Sequence, residues 1–189
     1  MSATRTASEK RVERRISAMG KMVFVTGGAR SGKSRFALSE ALKIAGKKAF
    51  IATAEETDEE MKDRINRHRQ DRGNGWKTFE EPVAIARLVK GIDGRYPVIV
   101  IDCLTLWLAN LMMSGLDPEK ETGRLVAALR ALKKSRVFIV SNEVGMGIVP
   151  ENELARRFRD MAGRLNQRVA EVSDEVYVTF SGIPVKIKG

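Results

Sequence analysis

Gly27-Gly28-Ala29-Arg30-Ser31-Gly32-Lys33-Ser34 is the segment that most limits what this chain can become. It fits the spacing G-x-x-x-x-G-K-[ST] in full. It lies after Met22–Thr26, which reads as a buried strand, and before Ser34–Ala45, which reads as a helix. Glycines there let the backbone curl until successive N–H groups point at one spot, and the following helix adds its positive end. Such a turn cradles phosphate oxygens. Lys33 reaches the outer phosphates of a nucleoside triphosphate, ATP or GTP, and the Ser34 hydroxyl is placed to ligate Mg²⁺.

The rest of the chain alternates in kind. Strands are predicted at Lys48–Thr53, Pro97–Asp102, Val137–Ser141 and Glu175–Phe180, with an edge strand at Val185–Ile187. Helices are predicted at Thr57–Arg72, Pro82–Val89, Leu104–Met113, Pro118–Lys134 and Leu154–Ser173. Strand and helix in turn imply an α/β fold, a mostly parallel sheet with helices on both faces. Residues 21–189 read as one domain preceded by a basic extension, residues 1–20, in which Ser8–Met19 has helical spacing. The apolar Leu106-Trp107-Leu108 stripe reads as core.

Composition narrows the function classes. A length of 189 residues suits one domain, since domains cluster near roughly 100–200 residues. No apolar run approaches the roughly 18–20 residues of a membrane span, and the start of the chain lacks the apolar core of a signal peptide. The single cysteine, Cys103, permits no internal disulfide and fits a cytoplasmic setting. The net charge of +10 suits anionic substrates. It is not gathered into the block, nor interleaved with the aromatics, that nucleic-acid recognition would favour, so no nucleic-acid partner is expected.

Val98-Ile99-Val100-Ile101-Asp102 ends a buried run in an acid at a strand tip, the side on which open α/β sheets bind ligands. Asp102 is therefore a candidate Mg²⁺ ligand beside Ser34; its other reading is the cap of the following helix. His68, the sole histidine, shares a helical face with Arg64 and Arg72 and is adjacent to Arg69. Neighbouring guanidinium groups favour the neutral imidazole, which is a competent nucleophile toward a phosphorus atom. On its residues alone, the segment reads first as a surface histidine on a basic helix and second as that nucleophile.

Five segments occur in order: Thr26–Ser34, Ile51-Ala52-Thr53-Ala54, Arg64-Ile65-x-x-His68-Arg69, Trp76-x-Thr78-x-Glu80 and Asn142–Pro150. With the closing Ser181–Lys186, they resemble the bifunctional adenosylcobinamide kinase / adenosylcobinamide-phosphate guanylyltransferase family of cobalamin biosynthesis. The resemblance spans about residues 22–189. It implies a P-loop NTPase domain of RecA-like kind, assembled as a homotrimer, with a corrinoid substrate, adenosylcobinamide and then its phosphate. It implies phosphorylation of the acceptor from ATP or GTP, then transfer of GMP from GTP through a guanylyl-histidine at His68. It also implies guanine-nucleotide contacts at Gly27–Ser34, Ala52, Thr53, Ala54, Arg69, Gln70, Asp71, Arg72, Glu80 and Asp102. Glu80 can accept from the N1–H and N2–H₂ edge of guanine; its other reading is a solvated acid beside Glu81. Two readings compete with this one: a P-loop small-molecule kinase without guanylyl transfer, and a nucleotide-gated RNA-associated protein. The chain departs from the family at Arg72-Gly73-Asn74-Gly75-Trp76, where an Arg-Pro pair is common.

Overall fold

The computed structural model describes residues 20–55, 59 and 75–189. The basic stretch before Gly20, the predicted helix Thr57–Arg72 other than Glu59, and His68 itself lie outside them.

Among the described residues the elements run β1 (Met22–Gly27), α1 (Lys33–Leu42), β2 (Lys48–Ala52), β3 (Trp76–Glu80), α2 (Ile85–Ile92), β4 (Val98–Asp102), α3 (Leu104–Met113), α4 (Pro118–Ala131), β5 (Arg136–Val140), α5 (Glu153–Val172), β6 (Glu175–Phe180) and β7 (Ile183–Lys188). The seven strands form one sheet in the order β3-β2-β4-β5-β1-β6-β7. All neighbours are parallel except β6 and β7, a hairpin.

Alternation sorts the strand residues onto two cores. Phe24, Ile51, Ile99, Ile101 and Ile139 point into a layer closed by Val89 of α2, Trp107 and Leu111 of α3, Leu125 of α4 and Leu165 of α5. Val23, Val25, Phe50, Val100 and Val140 point the other way, where α1 contributes Ala37 and Ala41. Both faces are covered, so strands such as Val98–Asp102 read as unbroken apolar runs. Trp107 is buried within this layer, with its indole N–H donating to the Val83 carbonyl at 2.7 Å. The Leu106–Leu108 stripe is core as expected.

Several boundaries differ from the sequence reading, each for a local reason. α2 starts at Ile85 rather than Pro82 because the Glu81 carboxylate accepts the N–H groups of Val83 (3.1 Å) and Ala84 (2.7 Å), holding these residues in a turn. α4 stops at Ala131 rather than Lys134 because the Asp93 carboxylate draws in the N–H groups of Lys133, Lys134 and Ser135 at 3.3, 3.3 and 2.9 Å. α1 stops at Leu42 rather than Ala45, where Ile44 N–H turns to the Ala41 carbonyl ahead of Gly46 at φ 110°. β7 runs for six residues and β3 is a strand that was not anticipated.

Candidate active site

The glycine-rich turn sits at the C-terminal end of β1, and its shape is fixed from behind by the β6–β7 hairpin. Gly27 has φ 143° and Gly32 95°, conformations that favour glycine, and Arg30 between them is also left-handed at 54°. Ser31 Oγ lies 2.6 Å from Thr179 Oγ1 of β6, and the Gly182 N–H donates to the Ser31 carbonyl at 2.9 Å. A methyl group on Gly32 would stand 3.1 Å from Gly182 Cα. The hairpin can press this close because its two-residue turn, Ser181 (φ 50°) and Gly182 (φ 84°), has left-handed backbone at both positions.

Within the turn, Lys33 is 6% exposed and its ammonium donates to the Gly28 carbonyl at 2.6 Å. Gly28, Ala29 and Arg30 are exposed, Ser34 is half-buried, and Ser34 stands in the first turn of α1. The chain thus offers backbone N–H groups, a helix start, a shielded ammonium and a hydroxyl at one place.

Asp102 closes β4, two strands away in the order β4-β5-β1. Its register partner on β5 is Val140, whose partner on β1 is Val25. Two strand spacings of about 4.8 Å put the acid roughly 10 Å to the side of β1, at the same edge of the sheet. The same row continues to Ala52 of β2 and Glu80 of β3. Four spacings separate β3 from β1, roughly 19 Å. The structure therefore brings Asp102 beside the glycine-rich turn and sets Ala52 and Glu80 beyond it. Arg69, Gln70, Asp71 and Arg72 lie outside the described residues.

Thr53 and Ala54 follow β2. Thr53 is fully buried: its hydroxyl donates to the Cys103 carbonyl and accepts from the Cys103 N–H, both at 2.7 Å. Asn110 in turn donates to the Thr53 carbonyl at 2.7 Å. Thr53 is thus a brace for the end of β4, which aims Asp102, whereas Ala54 is half-buried and Glu55 exposed. Burial pushes the Cys103 thiol up to about 11, and the Asp102 charge adds to that.

Hard oxygen donors at Ser34 and Asp102 suit Mg²⁺. Among the described residues no group of three or more His, Cys, Asp or Glu side chains could hold a metal.

The sequence reading did not assign the braces. Thr179 and Gly182 behind the turn, and Thr105 and Asn166 around β5, are visible only once distant segments meet. The Thr105 hydroxyl accepts the Asn142 N–H at 2.7 Å, and the Asn166 amide donates to the Asn142 carbonyl at 3.0 Å. Only the Ser181-Gly182 dipeptide, a hairpin-turn signature, carried a local signal.

Comparison with known proteins agrees with this geometry. The cobinamide kinase / cobinamide phosphate guanyltransferase family matches residues 23–187. Similar relatives include the bifunctional adenosylcobalamin biosynthesis protein CobP of Pseudomonas aeruginosa, 42% identical over 87% of this chain and 96% of its own. CobU of Salmonella typhimurium, of the same description, is 43% identical over 88% of this chain and 99% of its own. Among solved structures, the flagellar accessory protein FlaH of Methanocaldococcus jannaschii covers 97% of this chain and 86% of its own at TM-score 0.50 and 16% identity. An ATPase from a bacterial type III secretion system covers 85% of this chain and 51% of its own at TM-score 0.51 and 13% identity. The structural likenesses speak to the fold alone, that of RecA-like P-loop NTPases.

Proposed function

Because the chain belongs to the cobinamide kinase / cobinamide phosphate guanyltransferase family, we propose that it carries out both reactions, with His68 as the covalent carrier of GMP. The observation that carries the reading is the glycine-rich turn at β1 with Asp102 two strands away at the same sheet edge, in a chain matched by that family nearly end to end. In the first reaction the acceptor hydroxyl oxygen attacks the terminal phosphorus of ATP or GTP. The bond to the bridging oxygen breaks, the nucleoside diphosphate leaves, and the hydroxyl proton departs to base or solvent. Lys33 and the N–H groups of Gly28–Ser34 stabilise the charge that spreads over the transferring group. Ser34 and Asp102 would hold Mg²⁺, which would neutralise phosphate charge.

In the second reaction a His68 nitrogen attacks the α-phosphorus of GTP and pyrophosphate leaves. A phosphate oxygen of the phosphorylated acceptor then attacks the same phosphorus, and the phosphorus–nitrogen bond breaks to give adenosylcobinamide-GDP. The parallel strands β2 and β3 end in register at the ligand edge, at Ala52 and Glu80. Ala52, Ala54, Glu80 and the Arg69–Arg72 run are assigned to the guanine nucleotide on family resemblance. A nucleotide read by Glu80 would lie across the ends of β4 and β2. We assign a homotrimer on the same resemblance and a cytoplasmic setting on the single cysteine; no described helix is long and apolar enough to cross a membrane.

Mass spectrometry of the intact protein after GTP and Mg²⁺ tests the carrier. One added GMP is expected, located on His68 and absent from His68→Ala, which keeps most of its kinase rate. A wild-type chain that phosphorylates cobinamide but never gains GMP would leave a kinase alone.

A further inference from the structure

The loop between β5 and α5 leaves the sheet at a revealing place. β5 lies between β1, which bears the glycine-rich turn, and β4, which bears Asp102. Any acceptor approaching a terminal phosphate held between those two strands passes this loop. Its root is rigid. The Asn142 peptide is gripped on its N–H by Thr105 and on its carbonyl by Asn166. The next N–H, of Glu143, donates to the Gly27 carbonyl at 2.9 Å, joining the loop directly to the phosphate turn. The far end is fixed too, by the Arg156 guanidinium on the Pro150 carbonyl at 3.0 Å.

Between these anchors the loop shows apolar side chains to solvent. Met146 is 76% exposed, Ile148 97% and Val149 60%, with Val144 beside them and Leu154 at 61% in the first turn of α5. An exposed run of this density marks a surface that meets something apolar. Phosphate groups have no use for it, whereas the broad macrocycle of a corrinoid offers apolar surface to meet it.

We propose that residues 144–149 with Leu154 form the acceptor platform, on which the apolar face of the corrinoid rests with its aminopropanol arm turned toward the phosphate turn. This inference rests on the kinase reading above. Charge plays little part in it: the loop meets the ring by apolar contact, and the fixed root sets the distance from ring to phosphorus.

Kinase assays with cobinamide and ATP·Mg²⁺, on wild type, Ile148→Ser and Met146→Ser/Ile148→Ser, test it. Ile148 is almost wholly exposed, so a serine there loses no packing in the chain. The double variant is expected to raise KM for cobinamide about tenfold or more, with kcat at saturation within about twofold, nucleotide affinity unchanged and the assembly size by light scattering unchanged. An unchanged KM for cobinamide overturns the platform. So does a raised KM that comes with a smaller assembly or weaker nucleotide binding, since the patch would then join subunits or shape the phosphate turn. Wild type that fails to phosphorylate cobinamide at all would instead sink the kinase reading.

Discussion

Replacing Gly27 with alanine probes how tightly the phosphate turn is seated on β6. The new methyl group would stand 2.5 Å from the Thr179 carbonyl oxygen, 2.7 Å from its hydroxyl and 2.9 Å from Ser31 Oγ. Ordinary contact begins near 3.4 Å, so β1 and β6 must part by roughly 0.9 Å at their ends. The atom in the way is backbone, in a strand held to β1 over five register pairs, and it cannot swing aside as a flexible side chain would. Two costs follow. A residue bearing a Cβ at φ 143° is strained by about 1–3 kcal/mol. Parting the strands also breaks the buried Ser31–Thr179 hydroxyl bond, about 1 kcal/mol. The total is about 3 kcal/mol. For a domain of this size that lowers the melting temperature by about 6–12 °C. Nucleotide affinity should fall as well, because Ser31 and its neighbours no longer hold their N–H groups on one point. Differential scanning fluorimetry with and without ATP·Mg²⁺ measures both effects. A variant melting within about 2 °C of wild type, with unchanged affinity for the nucleotide, would refute the close seating of the turn.

Glu175 gathers Lys21 (3.6 Å), Arg136 (3.5 Å) and Lys186 (3.5 Å) and accepts the Tyr177 hydroxyl at 2.9 Å. Burial opposes its ionisation, yet the Tyr177 bond and the three cations outweigh it and hold the carboxyl below its ordinary range. Its stabilising share is therefore full above the unfolded pKa of about 4.3 and is lost as pH falls through the lower folded value. Glu175→Gln should flatten the fall in urea-unfolding free energy between about pH 5 and about pH 2; a slope equal to that of wild type would show that the cluster contributes nothing. With its pKa at about 11 and only 6% exposure, the Cys103 thiol should resist aromatic disulfide reagents at pH 8 until the chain is unfolded in denaturant, and rapid native labelling would contradict the packing at the end of β4.

What could be read from the sequence was whatever a short window encodes. The glycine-rich turn carries its geometry in eight consecutive residues, and the buried run before Asp102 announces a central strand by composition alone. α3 and β6 begin and end where the reading put them. The edge strand β3 was missed because Trp76–Glu80 is only half-buried, so its apolar positions never form a continuous run. Helix ends moved where a carboxylate distant in sequence, Asp93, captured backbone N–H groups. Thr53, a nucleotide contact on resemblance, is buried with its hydroxyl tied to the Cys103 peptide fifty residues on, a pairing no short window encodes. The braces Thr179, Gly182, Thr105 and Asn166 have no local signature as such, since each acts across a long stretch of chain.

The contact between Ser31 and Thr179 spans 148 positions. On the ribosome the glycine-rich turn emerges 148 residues ahead of the strand that backs it. Long-range pairing of this kind forms late and at high entropic cost. A growing chain therefore passes a long stretch of its synthesis with the phosphate-binding residues already outside the exit tunnel but without the strand that shapes them. The backing of the turn arrives with β6, and a chain interrupted before it holds the motif without the cradle.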